Sequence, residues 1–168
     1  MNNAHLLSNE NDKRRLFCST NTVTLRETGY DILKIMSKFG LHMPSVVYAK
    51  PVLVKQLPLC KPQIGHTDYM KDSKAFSRHR DFNAGVPIGM LLALTNRSIR
   101  VTPRSHRDAN VPEVVVNMVP GDIIVIRGDL LHRGDRSQGS HTYAVHYYGD
   151  CSDGCLGAVH ADNAVHTS

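Results

Sequence analysis

Between residues 27 and 39 the apolar positions fall at helical spacing. Tyr30, Leu33 and Met36 form one row and Ile32, Ile35 and Phe39 the next, a stripe that predicts an amphipathic helix. Thr24-Leu-Arg-Glu27 upstream reads as a capping box, and Gly40, with Pro44 just beyond, reads as the stop. Gly29 weakens the first turn. After the helix the texture changes to short apolar runs broken by Pro and Gly: Val46–Tyr48, Pro51–Val54, Ile88–Leu94, Ile99–Val101, Val114–Val116, Ile123–Ile126 and Thr142–Tyr148. Runs of this length with turn signals between them predict an antiparallel sandwich or barrel. Pro120-Gly-Asp122 is a turn before a run that is apolar on both faces, which predicts that Ile123–Ile126 lies in the centre of the fold.

The polar stretches divide the chain. Residues 1–23 are expected to be a frayed polar segment, residues 24–148 the folded domain with its N-terminal helix, and residues 149–168 a peripheral tail. Residues 70–85 carry Lys71, Asp72, Lys74, Arg78, His79, Arg80 and Asp81. That is long for a structureless connection, and such loops are lids, substrate loops or disordered segments.

The length of 168 residues suits one domain that buries its own core. With 41% hydrophobic and 21% charged residues the chain is expected to be globular rather than disordered, and its apolar runs are too short for a membrane helix. The net charge of +5 permits an anionic partner without singling out nucleic acid. The start, Met1-Asn-Asn-Ala-His-Leu-Leu-Ser8, lacks the apolar core of a signal peptide. The expected location is therefore cytoplasmic, with Cys18, Cys60, Cys151 and Cys155 as free thiols. Cys151 and Cys155, followed by His160 and His166, do not match the usual spacing of a zinc site.

The candidate chemistry begins at His66-Thr67-Asp68. On a strand, an HxD pair points both side chains to one face. A distant histidine, His132, follows Gly121-Asp-Ile-Ile-Val-Ile-Arg-Gly-Asp-Leu-Leu131, a turn, a strand and a turn. Two imidazoles and one carboxylate that leave adjacent positions open make the ligand set of non-haem Fe(II) oxygenases. Upstream stands Ser98-Ile-Arg-Val-Thr-Pro-Arg-Ser-His106, and downstream Gly121-Asp122 leads to His132-Arg-Gly134. With the HxD these segments, over roughly residues 46–148, resemble the Fe(II)/2-oxoglutarate-dependent dioxygenases, particularly the phytanoyl-CoA hydroxylase-like branch. That branch carries a G-x-L-x-V-x-P-G-S-H segment followed by G-D, a hydrophobic run and H-x-G. The resemblance implies an all-β core with a flanking helix, a double-stranded β-helix (jelly roll, cupin-like). It also implies Fe(II) held by His66, Asp68 and His132, 2-oxoglutarate as cosubstrate, and oxidation, most often hydroxylation, of a small-molecule or peptide substrate.

One departure stands out. The family usually places an Arg or Lys about ten residues after the distal histidine, to pair with the far carboxylate of 2-oxoglutarate. Gly139-Ser140-His141 aligns there, so the resemblance puts His141 in that place, where neutral imidazole is a weaker partner than a guanidinium. Tyr143, on the same strand face as His141, Val145 and Tyr147, and Tyr48 on an early strand are candidate donors to the cosubstrate. Arg80, Arg100 or Arg136 are alternative cations. A different cosubstrate, an inactive binding protein of the same fold, or a nucleic-acid demethylase remain open. His146 falls on the opposite face of its strand and is expected to be structural, and His106 to pack a turn.

Overall fold

Each of the apolar runs becomes a strand, and the helical stripe becomes a helix. The computed structural model describes residues 15–19, 22–39, 46–48, 51–69, 87–108, 110–137 and 139–151. In chain order these form β1 (Arg15–Ser19), α1 (Val23–Lys38), β2 (Val46–Tyr48), β3 (Val52–Gln56), β4 (Ile88–Ala93) and β5 (Arg97–Val101). They continue with β6 (Val114–Met118), β7 (Ile123–Arg127), β8 (His132–Gly134) and β9 (Thr142–Cys151). The expected loop at 70–85 and most of the expected tail lie outside the described residues.

The strands make two antiparallel sheets. The larger has the order β1-β3-β9-β4-β7, with β2 also paired to β9, and the smaller has the order β6-β5-β8. β9 is the hub of the larger sheet, since it pairs with β2, β3 and β4. Alternation gives that sheet two different faces. One face carries Ile88, Met90, Val145 and Tyr147, which pack with Ile32 and Met36 of α1. The other face turns toward the smaller sheet. There Leu91, Ala93 and Ala144 meet Ile99, Val101 and Met118, while Phe17 and Val54 pack with Tyr148 and Tyr69. This arrangement is the jelly-roll architecture expected from the sequence.

Four expectations are corrected. First, the N-terminal segment is not frayed throughout, because β1 pairs with β3 from Arg15↔Gln56 to Ser19↔Val52. Second, α1 begins upstream of the expected capping box. Thr22 is the N-cap and makes no side-chain cap, and Thr24 lies in the first turn, where its carbonyl accepts the Thr28 hydroxyl at 2.8 Å. The buried positions of α1 are Gly29, Ile32 and Met36, whereas Tyr30, Ile35 and Phe39 are exposed. Third, β7 is an edge of the larger sheet rather than its centre, and Ile123 is 40% exposed. Its apolar residues face two ways, Val125 toward the α1 cluster and Ile124 and Ile126 into the cavity between the sheets. The Pro120-Gly121 turn before it forms as expected, with Gly121 at φ +94°, a conformation that glycine adopts without a Cβ penalty. Fourth, His146 belongs to the cavity face of β9, opposite Leu91 and Val52, because the alternation of that strand is the reverse of the expected one.

Candidate metal centre

His66 and His132 approach through their backbones. His66 N–H donates to His132 O at 2.9 Å, and His132 N–H donates to His66 O at 2.9 Å. This isolated antiparallel bridge brings the ring centroids to 4.7 Å. Each ring is also tethered to the carbonyl two residues earlier. Nδ1 of His66 contacts Ile64 O at 3.0 Å, and Nδ1 of His132 contacts Leu130 O at 2.9 Å. A carbonyl only accepts, so Nδ1 carries a proton in both rings, and in the neutral imidazole Nε2 is the lone-pair atom. Tethering of this kind sets the tautomer and aim of metal-binding histidines.

Asp68 completes the group. One ligand atom from each of His66, Asp68 and His132 lies within 4.8 Å of the others. Asp68 is 4% exposed, and a buried carboxylate needs compensation. It lies between two imidazoles: Oδ1 is 3.5 Å from His132 Nε2, and Oδ2 is 3.4 Å from His146 Nε2. The Oδ2 contact lacks the alignment of a hydrogen bond. Burial alone would raise the Asp68 carboxyl, but the His132 and His146 rings together outweigh it and hold the group well below its ordinary range. For His132, burial pulls downward and the Asp68 charge overrides it, so the imidazole is raised.

Glycine makes room for this carboxylate. A Cβ on Gly89 of β4 would overlap Asp68 Oδ2 and come within 3.2 Å of His146 Nε2. The loop into His132 is held from several sides. Ser105 Oγ accepts Leu131 N–H at 2.7 Å, and Thr102 N–H donates to Leu131 O at 2.9 Å. The buried Arg127 pairs with Asp129, Nε to Oδ1 at 2.8 Å. The Pro-Arg-Ser-His segment therefore positions His132, and His106 packs nearby, its imidazole lowered mainly by burial.

The group opens onto a cavity between the sheets. His66, Asp68, Gly89, His132 and His146 line one part, with apolar walls from Phe17, Leu91, Ile99, Ile124 and Ile126. Arg15 and Arg97 line it as well. Arg97 is 9% exposed, and its Nε and Nη1 have no hydrogen-bond partner among the described residues. Burial and the Arg15 guanidinium push Arg97 down to about 10.

The other expected cosubstrate contacts are placed elsewhere. His141 is exposed and stacks on Tyr143 with centroids 6.5 Å apart. Tyr143 pairs with Lys55 across β3, whose Nζ lies 5.8 Å from its ring. Neither residue lines the cavity. Arg100 points to the outer face and pairs with Asp135 at 2.9 Å and Glu113 at 3.2 Å, and Arg136 is exposed. Tyr48 is described only by its backbone, which pairs with Gly149, and Arg80 lies outside the described residues. His146, Gly89, Arg97 and Arg15 were not among the sequence candidates. Gly89 was the detectable one, because a glycine inside an apolar strand marks a close approach.

No family model matches the sequence, and no curated protein does. Solved structures do resemble the fold. The non-heme alpha ketoglutarate dependent epimerase SnoN from nogalamycin biosynthesis superposes with TM-score 0.69 at 13% identity, over 89% of this chain and 65% of its own. HygX from Streptomyces hygroscopicus, with nickel, 2-oxoglutarate and hygromycin B bound, gives TM-score 0.61 at 10% identity, over 87% of this chain and 73% of its own. A prolyl hydroxylase from Trichoplax adhaerens, in complex with a hypoxia inducible factor peptide fragment, gives 0.60 at 10% identity, over 86% and 66%. The chain thus spans about two thirds of the length of these proteins, SnoN slightly less, and the likeness extends across several such enzymes rather than to one branch. The two-sheet frame is the fold that these solved enzymes share, and in this chain His66, Asp68 and His132 gather at its cavity.

Proposed function

We propose that this chain is an Fe(II)- and 2-oxoglutarate-dependent dioxygenase in which His66, Asp68 and His132 hold the metal. The observation that carries this reading is the convergence of two imidazoles and one carboxylate within 4.8 Å at a cavity, in a fold that HygX uses with nickel and 2-oxoglutarate. The donor set suits a borderline divalent ion, and three ligands on one side leave positions for a chelating cosubstrate and O2. Iron with 2-oxoglutarate supplies the oxidising power: 2-oxoglutarate, O2 and a substrate C–H are converted to succinate, CO2 and C–OH. The chain's own part is binding, aim and exclusion of water. Nδ1–H of His66 and of His132 fixes each ring on a backbone carbonyl, and Asp68 supplies one negative charge. His146 sits against the carboxylate oxygen turned away from His132. Phe17, Leu91, Ile99, Ile124 and Ile126 supply the apolar walls of the cavity. The substrate is a small molecule or a peptide, the two kinds of molecule held by HygX and the prolyl hydroxylase.

The test is anaerobic loading with Fe(II), followed by O2 and measurement of succinate from 2-oxoglutarate. Wild type is expected to form succinate. Asp68→Ala and His132→Ala are expected to lose metal affinity and turnover by more than the roughly 10- to 100-fold typical of residues that merely support a ligand. Metal binding that survives both substitutions overturns the ligand assignment. Tight binding of metal and 2-oxoglutarate without succinate, under any substrate tried, favours an inactive binding protein.

A further inference from the structure

The resemblance places the cosubstrate's distal cation at position 141, just before β9, yet β9 carries no arginine or lysine. Its cavity face carries Thr142, Ala144, His146 and Tyr148, and His141 is exposed. Among the described residues, the arginines and lysines that line the cavity are Arg15 and Arg97. We propose that Arg97 on β5, reinforced by Arg15 on β1, anchors the far carboxylate of the 2-oxo acid. This inference rests on the metal reading above for the near end of that acid.

Position supports it. Along β5, Val101 stands opposite His132, Ile99 opposite Gly134 and Arg97 opposite Met118. All three share the inward face. Arg97 is thus four residues along the strand from the His132 row, about 13 Å at the rise of a strand. An arginine side chain reaching back and a 2-oxo diacid reaching forward from the metal together bridge that gap. Unsatisfied donors support it too. Nε and Nη1 of Arg97 are buried without partners among the described residues, an arrangement that an anion in the cavity relieves. A guanidinium also presents the paired donors that fit a carboxylate. Arg15 lines the same cavity and is buried, with Nη2 on the carbonyls of Asp135 and Lys61 at 3.3 and 3.4 Å. Its charge raises the positive potential at this end of the cavity and depresses Arg97, so a carboxylate there is doubly favoured.

The experiment compares 2-oxoglutarate with 2-oxobutyrate, which keeps the chelating end and lacks the far carboxylate. Both are titrated calorimetrically into the Mn(II)-loaded full chain as wild type, Arg97→Met and Arg97→Lys. Arg97→Met is expected to weaken 2-oxoglutarate on the order of 10- to 100-fold while changing 2-oxobutyrate by no more than about twofold. Arg97→Lys is expected to recover part of the loss. In the metal-free chain, glutarate is expected to raise the Tm of wild type and not of Arg97→Met. Without ligand, Arg97→Met is expected to melt no lower than wild type, since it removes a buried charge. Equal weakening of both oxo acids, or none, overturns the anchor and leaves the metal reading standing. A chain that ignores Mn(II) but is stabilised by glutarate through Arg97 keeps the anchor and overturns the iron reading. A chain that responds to neither overturns both. If Arg97→Met does not fold, Arg97→Lys carries the same comparison.

Discussion

The two faces of β4 and β9 are built on one backbone and do opposite work. On the α1 side, Ile88, Met90, Val145 and Tyr147 are almost completely buried and apolar. On the cavity side, one residue along, stand Gly89, His146 and Tyr148, with Asp68 laid against the glycine. The first face gains stability from apolar area removed from water. The second faces a cavity that buries Asp68, His132 and, from β1 and β5, Arg15 and Arg97, groups that cost free energy to desolvate. Fold stability and chemistry are therefore separated by residue parity, and substitutions at consecutive positions should have unlike consequences.

The sharpest way to break this division is at the adjacent pair Gly89 and Met90. Gly89→Ala places a methyl group into Asp68 Oδ2 and is expected to weaken metal binding by about 100-fold or more. Circular dichroism should show the sheets intact. Met90→Ala is expected to destabilise the chain by about 2–5 kcal/mol in denaturant titrations, with metal affinity per folded molecule retained. If both variants lose metal equally, the separation of faces is wrong. A smaller effect comes from His146→Gln, which removes the imidazole 3.4 Å from Asp68 Oδ2. Metal affinity is expected to fall roughly 10-fold, and no change would show that Asp68 is positioned by Gly89 and His132 alone. The smallest effect belongs to His141→Ala. As an exposed residue outside the cavity, it is expected to alter 2-oxoglutarate affinity by no more than about twofold, and a larger loss would return the distal cation to β9.

Much of this was legible in the chain. The apolar runs marked β2 to β7 and β9 because strands need β-branched and aromatic residues on a half-buried surface. His66, Asp68 and His132 were visible through motif context. β1 was hidden, since Lys13-Arg14-Arg15 reads as a solvated charge run although Arg15 is buried. β8 was hidden by its shortness, as three residues carry no period. The parity of β9 was ambiguous because Tyr143, Val145 and Tyr147 on one face look as suitable for a pocket as His146 and Tyr148 on the other. That ambiguity directed attention to His141, which is exposed and outside the cavity, and concealed His146. Arg97 follows Thr95-Asn96, which reads as a turn, so a buried cation there has no local signal. Burial of charge depends on what a distant strand supplies, and one stretch of sequence does not record it.

The reciprocal amide–carbonyl bridge between residues 66 and 132 has a consequence for how the centre is loaded. The two imidazole-bearing backbones are locked together by the polypeptide itself, so the ordering cost falls on folding rather than on capture of the ion. On the proposed reading, uptake and loss of iron would be reversible events on a standing framework, and chelation would empty the centre without melting it.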